Sequence, residues 1–272
     1  MKKVALAVAT LLAAAVFSPS AQAQCVAAPL QALAGAWTFS FDGFQLPPFN
    51  ILGAAGRFTA TVNGGRGILS ITATSSINGS PVRLETDAGY FQVDDDCTGG
   101  SLQFNLSSRP IQFEFYFVNP DEIVFVGNTN QNIVLGGARR VVPFACPAQT
   151  LQALAGTWVF SFNGFISSFR STTLLASAGR FVATVGVDRG GNPTGVLALS
   201  VTSSIDGSPV RREQDAGRFQ VNADCSGGQL IFNLSSRPLQ LDFFVTNANN
   251  IVMVGTNNGD IVVGSARRFG TI

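Results

Sequence analysis

Histidine is absent from all 272 residues, and tryptophan, tyrosine and methionine occur twice each. Without imidazole, His-based acid–base catalysis, Ser-His-Asp triads and most catalytic zinc sites are excluded. Charge is also scarce. Asp, Glu, Lys and Arg make up 12% of the chain, about half the usual share. Seventeen basic and 16 acidic residues leave a net charge of +1. The basic residues form no stripe, so nucleic acid and anionic membrane have no electrostatic case as partners. Beyond the N-terminus no apolar run is long enough to cross a bilayer as a helix, so no transmembrane anchor is expected in the mature chain. The four cysteines include no CxxC, which leaves redox and zinc-ribbon readings without support. No residue set implies a cofactor or a metal.

The N-terminus reads as a signal peptide over residues 1–23. Lys2 and Lys3 precede an apolar run from Val4 to Phe17, then Ser18-Pro19-Ser20 and an Ala21-Gln22-Ala23 cleavage site. The expected destination is outside the cytoplasm, periplasmic or extracellular, where an even cysteine count reads as disulfides.

Repetition is the strongest signal. LQALAGAWTFSFDGF at 30–44 returns as LQALAGTWVFSFNGF at 151–165, and SSINGSPVR at 75–83 as SSIDGSPVR at 203–211. NLSSRP occurs at 105–110 and again at 233–238. A period above 100 residues denotes whole domains rather than solenoid units. The expected domains are 24–145 and 146–272. Equivalent bridges then pair Cys25 with Cys97 and Cys146 with Cys225.

Within each copy apolar residues alternate with polar ones, as in Trp37, Phe39 and Phe41, the mark of half-buried strands. Asn78-Gly79 and Asp206-Gly207 are hairpin dipeptides. The pattern predicts an all-β chain of two tandem antiparallel up-and-down barrels. The strands lie near 36–44, 54–63, 67–77, 81–93, 99–107, 110–118, 122–129 and 132–141, and about eight more follow in the second copy. Closure removes exposed sheet edges. One helical turn precedes each copy, at Leu30–Ala34 and Leu151–Ala155.

Gly35-x-Trp37 with Arg139-Arg140, and Gly156-x-Trp158 with Arg267-Arg268, resemble the calycin pattern of lipocalin-like barrels. The ordered set adds Gly56-Arg57-Phe58, Asp96-Cys97 and their counterparts Gly179-Arg180-Phe181 and Asp224-Cys225. It resembles uncharacterised secreted bacterial proteins with an allene-oxide-cyclase-like barrel, over nearly all of residues 25–269. First and last strands are neighbours in such a barrel, so Trp and Arg stack and seal one end.

Catalytic candidates are weak. Glu85-x-Asp87 and Glu213-x-Asp215 place two carboxylates on one strand face, a pairing able to run glycoside hydrolysis or bind calcium. Arg83 and Arg211 share that face, and an outward polar row is the simpler expectation. Asp94-Asp95-Asp96 reads as a turn. The segments Gln45–Gly53 and Ile166–Ser177 read as apolar loops across the open mouth, with Phe49 and Phe169 as candidate ligand-binding residues. The leading expectation is an exported, non-enzymatic binding or interaction protein, its partner a small apolar ligand or a protein surface. The alternatives are an isomerase or cyclase of allene-oxide-cyclase-like type, and a sixteen-stranded outer-membrane barrel.

Overall fold

The computed structural model describes residues 28–45, 50–106, 109–127, 132–168, 171–205, 211–234, 238–257 and 259–270. The first eight strands are β1 (Gly35–Gln45), β2 (Asn50–Asn63), β3 (Arg66–Ile77), β4 (Ser80–Val93), β5 (Gly99–Leu106), β6 (Arg109–Asn119), β7 (Glu122–Gly127) and β8 (Asn132–Arg140). The second eight are β9 (Gly156–Ser168), β10 (Ser171–Val187), β11 (Pro193–Ile205), β12 (Arg211–Val221), β13 (Gly227–Asn233), β14 (Pro238–Asn247), β15 (Asn250–Gly255) and β16 (Asp260–Arg268). Each set is antiparallel with its neighbours in chain order and closes into its own barrel. The expected fold is therefore observed, and the single sixteen-stranded barrel is not what this chain forms.

Alternation decides the interior. Trp37, Phe39 and Phe41 on β1 point inward and are at most 1% exposed, together with Phe58, Phe104, Phe113, Phe115 and Phe125. Their rings touch in series, Phe39 to Phe104 at 4.9 Å and Phe113 to Phe125 at 4.8 Å between centroids. Each buried ring contributes about 1.5–3 kcal/mol. The second barrel repeats this with Trp158, Phe160, Phe162, Phe181, Phe232 and Phe243. An eight-stranded barrel is just wide enough for its own side chains to fill it, and both barrels are filled in that way.

A single 3-10 turn precedes each barrel, Pro29–Ala32 and Thr150–Ala153. It closes one barrel end. Trp37 donates its indole N–H to the Leu33 carbonyl at 2.8 Å, and Trp158 does the same to Leu154. Arg140 lies over the Trp37 ring at 4.4 Å, and its guanidinium donates to the Ala32 and Ala34 carbonyls. Arg268 covers Trp158 at 4.7 Å and donates to Ala153 and Ala155. The glycine of the Gly-x-Trp motif follows from this. At Gly35 (φ +123°) a Cβ would stand 2.7 Å from an Arg140 Nη atom.

The expected mouth loops are corrected. Ile166 pairs with Thr173 and Ser168 with Ser171, so most of Ile166–Ser177 is hairpin ladder. In the first copy Ile51 and Leu52 sit on β2 and are 4% and 3% exposed. Ile51 and Leu52 are strand residues burying their side chains, whereas Leu174 is a β10 residue that is 57% exposed. Phe49 and Phe169 lie outside the described residues.

The two barrels pack through walls that are not equivalent. The outer faces of β1, β2 and β3 meet those of β14, β15 and β16. Ala55 packs among Phe244, Val254 and Val263. Thr38 and Thr246 share a hydrogen bond of 2.7 Å, and Thr74 donates to the buried Asp242 carboxylate at 2.9 Å. Ser76 donates to the Asp260 carbonyl at 3.0 Å. The Arg57 guanidinium and the Asp224 carboxylate attract each other across the same seam.

Cys146 and Cys225 form a disulfide with Cα atoms 5.7 Å apart at a sequence separation of 79. Cys97 is also disulfide-bonded, while Cys25 lies outside the described residues. Two outcomes are expected in urea titrations of the mature chain. Arg268→Met, which removes the stacked cation and three carbonyl contacts, should cost about 2–3 kcal/mol; a change below about 1 kcal/mol would show that the seal contributes little. Cys225→Ser should cost about 4 kcal/mol if loop entropy dominates.

Candidate functional site

The carboxylate pairs do not form the outward row expected of them. Glu85 and Asp87 register with Ala73 and Ile71 on the inward side of the sheet, between the exposed Leu84, Thr86 and Ala88. They continue the inward set of Gly89 and the buried Phe91 on the same strand, which register with Leu69 and Gly67. A bulge lies just before them, where the register shifts between Ala73 and Ser75 and Leu84 takes φ +51°. Glu85 then accepts a hydrogen bond from Ser75 Oγ at 2.8 Å, and Asp87 from the Ala88 backbone N–H. Glu213 and Asp215 register with the buried Val201 and Leu199 in the same way. The side chains of Arg83 and Arg211 lie outside the described residues. In the Asp94–Asp96 turn, Asp96 accepts from Thr98 N–H and Oγ1, which holds its carboxyl below the ordinary range. Among the described residues no group of acidic or cysteine side chains could hold a metal ion.

The arginine pairs divide their work. Arg140 and Arg268 point in to the tryptophans, and their neighbours Arg139 and Arg267 point out. Arg139 makes a two-pronged contact with Glu122 Oε1, at 3.1 Å from Nε and 2.9 Å from Nη2. The residue matching Glu122 in the second barrel is Asn250, so Arg267 has no ion-pair partner among the described residues. Arg267 instead lines a cavity of about 320 Å³ between the barrels, with Thr38, Ser40, Arg139, Asn250 and Ser265. It can receive a small anionic or hydrogen-bonding group.

A second cavity, about 290 Å³, lies at the other end of the seam beside Asp42, Phe165 and Leu174. Burial without a counter-charge pushes the Asp42 carboxyl up from its ordinary value.

An exposed apolar group occupies the outer wall of β6, β7 and β8. Tyr116, Val118, Val124, Val126, Ile133 and Leu135 are 43–67% exposed there. Single exposed apolar residues are ordinary, but a contiguous group on adjacent strands marks an interaction surface. Sequence reading missed this wall because these residues resemble strand-core residues until the inward and outward sets are separated by register.

No family model matches this chain, and no curated protein matches it. Matches to solved structures are weak. A protein of unknown function from the DUF3598 family of Nostoc punctiforme is 12% identical, with 89% of this chain and 98% of that one covered and a TM-score of 0.22. Kievitone hydratase of Nectria haematococca is 7% identical, with 89% and 90% covered and a TM-score of 0.29. An AttH candidate from Nitrosomonas europaea is 6% identical, with 86% and 92% covered and a TM-score of 0.28.

Asp42 provides a pH test. Its folded-state pKa is raised, so its ionisation costs stability above the ordinary carboxyl value of 3.8 and costs nothing once the pH falls below it. The second barrel carries Asn163 at the matching position. Asp42→Asn should raise the melting temperature at pH 7, and that advantage should vanish by about pH 3 as both chains become neutral there. An equal gain at both pH values would assign the effect to packing.

Proposed function

We propose that this chain is an exported, non-enzymatic interaction protein that works through the outer walls of two filled, calycin-like barrels. The observation that carries this reading is the exposed apolar wall of β6–β8 beside lumens occupied by their own rings. Export is supported by the signal-type N-terminus and the Cys146–Cys225 bridge. It is consistent with the lack of a helix long and apolar enough to cross a membrane among the described residues. The calycin-like assignment is supported by the Gly-x-Trp and arginine pattern, which the Trp–Arg stack explains physically.

A carrier needs space that rings do not already fill. The mature protein should therefore show no stoichiometric apolar compound on organic extraction and no saturable binding of a fluorescent fatty acid. One bound molecule per barrel, displaced by Phe49→Ser or Phe169→Ser, would overturn the interaction reading in favour of a lipid carrier.

Arg267 favours a second reading, an anion site between the barrels. Inorganic phosphate should then raise the melting temperature of the native chain by mass action and leave Arg267→Gln unmoved. An equal response in both proteins would remove the site.

A further inference from the structure

The seam between the barrels joins two different walls, so each barrel has used only one of its two joining faces. The first barrel has used β1–β3 and keeps β6–β8 open. The second has used β14–β16, the counterpart of β6–β8, and keeps most of β9–β11, the counterpart of β1–β3, whose Phe165 end meets Phe44 of the first barrel. Each molecule therefore carries at opposite ends the two halves of a joint already made once inside it. We propose that the apolar β6–β8 wall of one molecule docks on the β9–β11 wall of another, giving head-to-tail assembly of identical chains. This rests on the interaction reading above and names the partner as a second copy.

The strand registers allow a residue-by-residue comparison. Phe115 opposite Phe125 matches Phe243 opposite Met253, and Trp37 opposite Phe58 matches Trp158 opposite Phe181. In the internal joint Ala55 sits among Phe244, Val254 and Val263. The open faces offer Ala178 against Tyr116, Val126 and Leu135. Thr74 donates to Asp242 internally, and its counterpart Thr202 would meet Glu114. Where Thr38 bonds Thr246, both counterparts are apolar and exposed, Val159 at 46% and Val118 at 55%. A polar pair has become an apolar pair on both sides of the joint together. The charges match as well. Arg57 faces Asp224 internally, and the open counterparts are Arg180 and Asp96, the latter within the Asp94–Asp96 turn. The open joint is bulkier where Leu135 stands for Val263 and Tyr116 for Phe244.

The joint has room to form. The middle strands of the two faces, β2 and β7, are three of eight strand steps apart, roughly 135° around a barrel. Two barrels of equal size can occupy both faces of a third without overlap. A joint between unlike faces repeats, so it builds a closed ring or an open helical filament.

Sedimentation velocity of the mature chain over a wide concentration range tests this. The native chain should grow in mass with concentration through dimers to larger species. Leu135→Glu spoils one face and Ala178→Glu the other, and both positions are exposed, so circular dichroism should show native melts. Each variant alone should remain monomeric. Mixed in equal amounts, they should form one-to-one dimers of twice the monomer mass that grow no further, because each supplies the face its partner has lost. A native chain that stays monomeric at every concentration, variants that associate as the native chain does, or a mixture that stays monomeric would each overturn the proposal. Those results would leave the fatty-acid and extraction assays as the separate judge of the interaction reading.

Discussion

Each barrel depends on one contact, the arginine of the last strand laid over the tryptophan of the first. The stack joins the sequence ends of the sheet at the position where closure must occur, since β1 pairs with β8 and β9 with β16. The same guanidinium gathers the carbonyls that the preceding 3-10 turn leaves unpaired, so it satisfies polar groups while it covers an apolar ring. A delocalised, planar cation suits both tasks, where a lysine could manage only one. The glycine before each tryptophan is a consequence of this contact.

Closure at one end lets the aromatic layers set the barrel's character. Once Trp37 and Trp158 are fixed, alternating residues on every strand fall inside, and phenylalanine fills the width available. Protein interiors are close-packed, so a lumen holding this many rings has little room for a guest. The chemistry that distinguishes this molecule from a sphere of phenylalanine is therefore outside the barrels. It lies in the seam with Arg267 and Asp42 and on the apolar wall of the first barrel.

Duplication explains why that wall exists. Two copies of one domain began with the same faces, and a joint between unlike faces leaves one of each unpaired. Drift since then has not been uniform. Thr38 and Thr246 are polar where Val159 and Val118 are apolar, and Glu122 holds Arg139 where Asn250 leaves Arg267 open. The copies therefore share a core and differ on their outer faces.

The period-two alternation, the hairpin dipeptides and the repeated Gly-x-Trp and arginine pairs were enough to read two eight-stranded barrels from the sequence, because those features encode local backbone geometry and inward-facing positions. The Cys146–Cys225 pairing followed from the repeat alone. The facing of Glu85 and Asp87 runs against their polarity, which points outward, while their alternation with the buried Phe91 on the same strand points inward. The division of each arginine pair into one inward and one outward member needed the register. So did the β6–β8 wall, because exposure there depends on which face the second barrel covers. The sequence by itself determined what each barrel is, since strand periodicity and closure are properties of one copy. Only the tertiary structure decided which walls are used and which are left open, because packing between copies is set by residues far apart in the chain.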